Sequence, residues 1–475
     1  MPDVHESESR DFRSFGPKSR GRWLWLCLLW GSLGACRSAS SSPRLDLSIV
    51  QADGSRASTR ADLDTLILRF AQGSSPAREE RSALRSKGLS LSFALPDFST
   101  PLRFAAELTG PSQRLWGALP TIPPVEAQGG AVVLVGKCGG CEKVAGADLP
   151  LERYGGQGLR LGSYALHVGG RNTQGLSRAV DYLDLLRYRS AARPDLPQDL
   201  EVFAAVPLDE SHALLATTQG FWIFDLNSAR PAEPLAGQVH AGAESGASLI
   251  YLPGQGAFVV GGGSPDAPVA FATWVTKEGA QRQVPLQRGR FRPALVATST
   301  GVWIASGHVN ANDELEELRV DQTPSRTIAR FDAPPRIEAH WFCDAMSDHC
   351  LLFGGVDPLT MAPRAESLSV SACSQACTFT AGPRWEGARR GVLTVANDHF
   401  LMLIGGEGPS ATTELLRWNA GVAEFAPGSA LTSARAYAAG LLLENGVALI
   451  WGGLGEGSAP RADVEICFPG EARFP

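Results

Sequence analysis

The sequence predicts an all-β protein: a ring of seven small sheets preceded by a smaller β domain. Three observations carry this. Charged residues make up only 19% of the 475, while glycine (52) and proline (32) are plentiful. That mixture suits short strands and turns rather than long helices. Second, an apolar strand ending in a glycine pair recurs along the chain. Third, the recurrences are evenly spaced, with steps of 48, 44, 45, 48, 51 and 47 residues. A period of this size marks a repeat architecture.

The units can be taken in order. "SYALHVGG" ends at Gly169-Gly170, "AFVVGG" at Gly261-Gly262 and "GVWIASG" at Ser306-Gly307. "CLLFGG" ends at Gly354-Gly355, "FLMLIGG" at Gly405-Gly406 and "VALIWGG" at Gly452-Gly453. Between the first two lies a degenerate unit, "HALLATT", with Thr217-Thr218 at the same place. A turn cluster such as Pro253-Gly254 or Asn445-Gly446 precedes each pair, and another strand precedes the turn. Each unit therefore begins as a β-hairpin. A third strand follows a variable loop, as in "VAFATWV", "TTELLRW" and "ADVEICF". Such a unit cannot bury both faces alone. Stacked radially, each sheet covers its neighbour and the ring hides most edges. The expectation is a seven-bladed β-propeller over residues 129–475, with blade hairpins from about residue 152. Treating the 217 unit as a linker would leave six blades. The repeat glycines read as structural, because only glycine allows close backbone approach at positive φ. Only "PGEARFP" follows the last third strand, so the final blade lacks a fourth. The segment "AVVLVG" (131–136), or residues just after it, is expected to supply that strand and close the ring.

Four apolar residues followed by Gly-Gly, with later aromatics such as Trp274 and Trp418, resemble the motif of the Kelch family of β-propellers. The resemblance covers residues 152–475; the Thr pair, Ser306-Gly307 and irregular Tyr/Trp positions depart from it. The arrangement is also similar to Kelch-containing lipoproteins of Gram-negative bacteria, which place a small β domain between anchor and propeller. Residues 44–128 fit that place. "LDLSIVQ", "LDTLILRF", "LSLSFAL", "LRFAAELT" and "QRLWGAL" alternate and break at Gly, Pro and Ser, which predicts a small β-sandwich-like domain.

The N-terminus reads as a targeting segment. Arg10, Arg13, Lys18, Arg20 and Arg22 precede a 13-residue apolar run, "WLWLCLLWGSLGA" (23–35). That run is shorter than the roughly 20 residues a spanning helix needs. It ends in "LGAC", which resembles the lipobox of bacterial lipoproteins and makes Cys36 the lipidation site. Residues 1–35 are then a signal peptide and 36–43 a lipidated cysteine with a flexible tether. Removal of 1–35 leaves 38 basic and 45 acidic residues. No basic cluster remains to bind nucleic acid. The expected location is the cell envelope, lipid-anchored at the outer membrane, facing the periplasm or the surface.

Seven further cysteines are disulfide candidates in an exported chain: Cys138, Cys141, Cys343, Cys350, Cys373, Cys377 and Cys467. Four fall in the fifth blade, where two disulfides are expected with connectivity open. Their spacings, C-x6-C and C-x3-C, match zinc knuckles poorly. "CGGC" (138–141) resembles a redox C-x-x-C but lacks the strand-to-helix setting that lowers a thiol pKa, so it reads as structural. A sharper option follows from ring closure: a bond from Cys467 to Cys138 or Cys141 would lock the ring.

Catalytic signatures are sparse. The mature histidines, His167, His212, His240, His308, His340, His349 and His399, show no paired metal spacing. The six tyrosines do not assemble the Tyr–Cys pair and Tyr/His site of Kelch-type copper radical oxidases. No sialidase Asp-box, G-x-S-x-G or helix-opening G-x-G-x-x-G is present. His308, just after its pair, reads as a solvated loop residue. The expectation is a binding or scaffold protein, not an enzyme, with no metal or cofactor. Its partners are the membrane, through the lipid, and an unidentified protein or envelope glycan held by the propeller loops. The alternative is a propeller enzyme acting on carbohydrate. Clustered carboxylates, His or Tyr at the channel mouth would favour that alternative; an apolar plug would favour the scaffold.

Overall fold

The computed structural model describes residues 44–469 except 56–61, 85–88, 95–99, 122–129, 236–244, 309–313, 332, 345–348 and 372–376. The expected signal segment, the lipobox Cys36 and the tether lie outside the described residues, as do His240 and Cys373.

The N-terminal domain is built from β1 (Arg44–Gln51), β2 (Thr65–Gln72), β3 (Arg78–Ala83), β4 (Ser90–Ala94), β5 (Leu102–Thr109), β6 (Arg114–Ala118) and β7 (Ala131–Lys137). The strand order is β3-β2-β5-β6-β7-β1-β4. Only two residue pairs, Leu115 with Lys137 and Trp116 with Gly136, join β6 to β7. Two sub-sheets, linked at that corner, enclose one core that includes Leu47, Leu68, Phe104, Leu108 and Val133. The alternation of Leu45, Leu47 and Ile49 along β1 puts all three on the inner face. Residues 131–136 belong to this sheet, where β7 pairs in parallel with β1, and so are not the strand that closes the ring.

Seven four-stranded antiparallel sheets follow. Their first strands are Gln157–Leu161, Val202–Pro207, Ala247–Leu252, Ala294–Ala297, Ile337–Cys343, Leu393–Ala396 and Ala439–Leu442, and neighbouring blades meet through them at the axis. The second strands are the most deeply buried. Phe400–Ile404 and Ala448–Trp451 are buried at every position, as sheets covered on both faces require. The fold is thus an all-β, seven-bladed β-propeller behind a small β domain. Blade seven takes its outer strand from β8 (Cys141–Lys143), which pairs with Val464–Cys467. A disulfide joins Cys141 to Cys467 across that pairing. "CGGC" therefore forms no internal bond: Cys141 pairs across 326 residues, and Cys138 packs beside the core around Trp116 and Phe468. In blade five a disulfide joins Cys343 to Cys350 across the first hairpin, and Cys377 is also disulfide-bonded.

The glycine pairs have a specific task. In blades three, four, six and seven, the N–H of the second residue donates to an arginine carbonyl at the entry to the next blade. These bonds are Gly262 to Arg290 (2.9 Å), Gly307 to Arg336 (2.8 Å), Gly406 to Arg435 (3.0 Å) and Gly453 to Arg153 (2.9 Å). A Cβ on Gly405 would stand 2.1 Å from the Arg435 carbonyl oxygen, at φ 65°, so no larger residue fits. Blade two escapes the requirement. Its second and third strands are joined by Thr218-Gln219 alone, and buried Thr217 donates to the Gly220 carbonyl at 2.8 Å.

The same arginines anchor their own blades. Arg153, Arg290 and Arg435 donate to the carbonyls of His167 (2.7 Å), Ser306 (2.6 Å) and Gly452 (3.0 Å). Each also meets a carboxylate on its third strand: Asp181, Glu316 or Asp463, all at 2.9 Å. Blade six repeats the device with Arg389 and Glu414 at 2.6 Å.

The N-terminal domain is welded to blades seven and one. Asn445 is fully buried and donates to the carbonyls of Leu119 (3.0 Å) and Ala118 (3.3 Å). Trp116 packs edge-on against Phe468 at 5.6 Å. Glu444 accepts from the Thr121 amide (2.7 Å) and from Arg160 (2.6 Å).

Candidate functional site at the channel mouth

Six blades enter their first strands through a left-handed residue, and in five of them that residue stands two after an arginine: Arg153, Arg290, Arg336, Arg389 or Arg435. The residues are Gly155 (φ 65°), Gly246 (87°), Arg292 (49°), Glu338 (59°), Gly391 (63°) and Tyr437 (52°). Backbone bonds link them from blade to blade around the axis. Arg292 N donates to Gly246 O (2.6 Å), Glu338 N to Arg292 O (3.0 Å), Tyr437 N to Gly391 O (2.8 Å) and Gly155 N to Tyr437 O (2.9 Å). Glycine tolerates this conformation; Arg, Glu and Tyr hold it at a cost of about 1–3 kcal/mol each, a strain that concentrates at functional sites.

All three non-glycine residues line a cavity of about 550 Å³ at the mouth of the channel. Tyr154, Arg171, Glu201 and His340 complete its polar wall, with Phe203, Leu176 and Val202 as apolar lining. Six of the seven blades contribute. The charged groups pair across blade junctions: Arg171 with Glu201 at 3.6 Å, and Arg292 with Glu338 in close contact. The Tyr437 hydroxyl donates to Glu407, which also pairs with Arg390 at 3.3 Å. Burial, reinforced by Glu407, pushes the Tyr437 phenol up to about 12, so it stays protonated. Burial pushes His340 down to about 4, so its imidazole is neutral near pH 7; Thr394 Oγ1 lies 3.4 Å from its Nδ1. The mouth thus offers carboxylate acceptors, guanidinium donors, a held phenol and an uncharged imidazole in one concave, partly apolar space. This is the composition of a small-molecule site.

Most residues singled out in the sequence lie elsewhere. The repeat glycines Gly169, Gly170, Gly261, Gly262, Gly307, Gly354, Gly355, Gly405, Gly406, Gly452 and Gly453 end the second strands. Only Gly170 reaches the cavity wall. His167 is buried against Trp451, with burial and Arg153 holding its pKa well below the ordinary value. His308 is 5% exposed, not a solvated loop residue: the Ser306-Gly307 turn folds it back beside Gly289. The mouth residues carried no motif, because they are drawn from five blades along the chain. The one legible signal was the position of Arg292, Glu338 and Tyr437, each two residues after an arginine.

No protein-family model matches the chain, and no curated protein matches it. Solved structures do. A fungal alcohol oxidase of the AA5 family, in complex with copper, is similar over 70% of this chain and 76% of its own, at 15% identity and a TM-score of 0.53. The structure of YjhT is similar over 67% of this chain and 95% of its own, at 12% identity and a TM-score of 0.43. The oxidase likeness is one of fold. It nevertheless overturns the expectation of a protein without catalysis, since a propeller of this shape carries an enzyme there. The mouth is not closed by an apolar plug: its wall carries carboxylates, a histidine and tyrosines. Copper itself does not fit the mouth. Among the described residues, His340 is the one histidine in its lining, and no cysteine is present there.

Proposed function

We propose that this protein is a propeller enzyme acting on carbohydrate, with its active site at the channel mouth. The observation that carries the reading is the ring of strained entry residues, Arg292, Glu338 and Tyr437, all lining one cavity. Paired Arg and Glu side chains suit vicinal hydroxyls, because one donates where the other accepts. Phe203 and the tyrosine rings supply apolar faces for a sugar ring. Tyr437, a protonated phenol, and His340, a neutral imidazole, are a donor and an acceptor at neutral pH, and Glu338 and Glu201 are the carboxylates of the same cavity. The repeat is of Kelch type in this reading. The chain is lipid-anchored through Cys36 in a bacterial envelope, where glycans abound; palmitate labelling lost in Cys36→Ala tests the anchor.

The functional test is a glycan-array screen, with products of the bound glycans followed by NMR. Conversion of at least one glycan is expected. Glu338→Gln and Tyr437→Phe should each reduce turnover by about 10²-fold or more, with melting temperatures within a few degrees of wild type. Unchanged turnover in both variants, or no glycan bound at all, would sink the reading.

A further inference from the structure

We propose that His308, Glu314 and Glu316 of blade four form a binding site for a divalent transition-metal ion of the zinc type. The site is separate from the channel mouth, whose lining includes none of the three.

Local structure brings the residues together. The Ser306-Gly307 turn, with both residues left-handed, delivers His308 immediately after the second strand. Glu314 and Glu316 stand two apart on the third strand, Glu314–Arg319, and therefore share a face. All three are buried, and one ligand-capable atom from each lies within 4.8 Å of the others. Among the described residues this is the one such group of three His, Cys, Asp or Glu.

The histidine is the independent sign of a ligand. Its Nδ1 lies 3.2 Å from the Gly289 carbonyl oxygen. A carbonyl only accepts, so Nδ1 carries the proton. The residue is 5% exposed, and its Nε2 has no hydrogen-bond partner among the described residues. Nε2 faces Glu314 Oε1 at 3.8 Å. A buried lone pair aimed at a carboxylate oxygen is repelled unless positive charge stands between them. A metal ion supplies that charge, and a backbone carbonyl on the far nitrogen is the usual way a ligating histidine is oriented.

The charges allow it. Buried Arg290 offsets Glu316 at 2.9 Å. Arg288 and Arg330 approach Glu314 at 3.6 and 3.5 Å, but they are 45% and 75% exposed and so screened by water. Glu316 also accepts from Ser325 Oγ at 3.1 Å, yet a carboxylate has about four lone-pair sites and can serve an ion as well. Zinc bonds of about 2.0–2.2 Å put tetrahedral donors roughly 3.4 Å apart, so the three side chains would draw together on binding. Three protein ligands leave a fourth position for water.

The test uses the full chain stripped of metal. Zinc affinity is measured by competition with a chromophoric chelator, and Co2+ is added as a spectroscopic probe. Wild type is expected to take up one zinc per chain, to gain thermal stability from it, and to give the visible bands of tetrahedral Co2+. His308→Ala and Glu314→Gln should each weaken zinc binding by about tenfold or more and abolish the bands, while His212→Ala leaves both unchanged. The proposal is overturned if wild type binds no zinc, or if His308→Ala and Glu314→Gln both bind it as wild type does. It is equally overturned if NMR shows His308 as an imidazolium paired with Glu314 and indifferent to zinc.

Discussion

At Arg292, Glu338 and Tyr437 the backbone adopts a conformation that neighbouring blades fill with glycine. The strain is tolerable because Arg292 and Tyr437 are tied front and back to the entries of adjacent blades, and Glu338 is tied to Arg292. The neutral histidines make a second residue-scale argument. His340 is pushed down to about 4 by burial, and His167 is held well below its ordinary value. In the unfolded chain both titrate near 6.5. Between those values the unfolded state binds more protons, so stability is full above pH about 6.5 and is lost as pH falls toward 4. The contribution of His340 alone is on the order of 2–3 kcal/mol by pH 4. Urea denaturation at pH 7.5, 6 and 5 should show the decline, and His340→Gln should flatten it. A flat wild-type profile would refute the assignment.

The blade is the next unit. Its repeated device is an arginine that binds the glycine-pair carbonyl of its own blade and a third-strand carboxylate. In blade seven, Arg435 is fully buried with Asp463 and Glu465. Arg435→Met should cost about 3–5 kcal/mol, because it leaves buried carboxylates without a counter-charge. Arg435→Met combined with Glu465→Leu should recover part of that loss, as measured by chemical denaturation. The hairpins, the glycine pairs and the third strands were legible in the sequence because they recur at a fixed step. The arginine device recurs too. It was missed because Arg and its acid partner lie 25–30 residues apart and meet only once the blade has folded.

At the scale of the molecule, closure depends on three residues. β8 holds the ring shut by pairing with Val464–Cys467 and by the Cys141–Cys467 bond. Cys467→Ser should lower stability by about 2–5 kcal/mol, and reduction of wild type, which also opens the blade-five disulfides, should lower it at least as much. Denaturation with and without reductant checks both. The N-terminal domain is not a loose spacer, since Asn445, Trp116 and Glu444 bind it to the propeller. Its loss would leave Phe468 and the Asn445 amide uncovered.

The sequence by itself determined the repeat period, the hairpin and third strand of each unit and the all-β class, while six or seven blades both stayed open. Those follow from local periodicity, apolar runs and turn residues, which a linear chain displays directly. The tertiary structure decided what the ring brings together. Tyr154, Glu201, Arg292, Glu338, His340 and Tyr437 are spread over almost 300 residues and share one cavity only because seven first strands converge on an axis. Likewise, Asn445-Gly446 read as a turn in the sequence, but its docking beneath Ala118 and Leu119 appeared only once the two domains met. Proximity of that kind arises from closing the ring, and no local pattern encodes it.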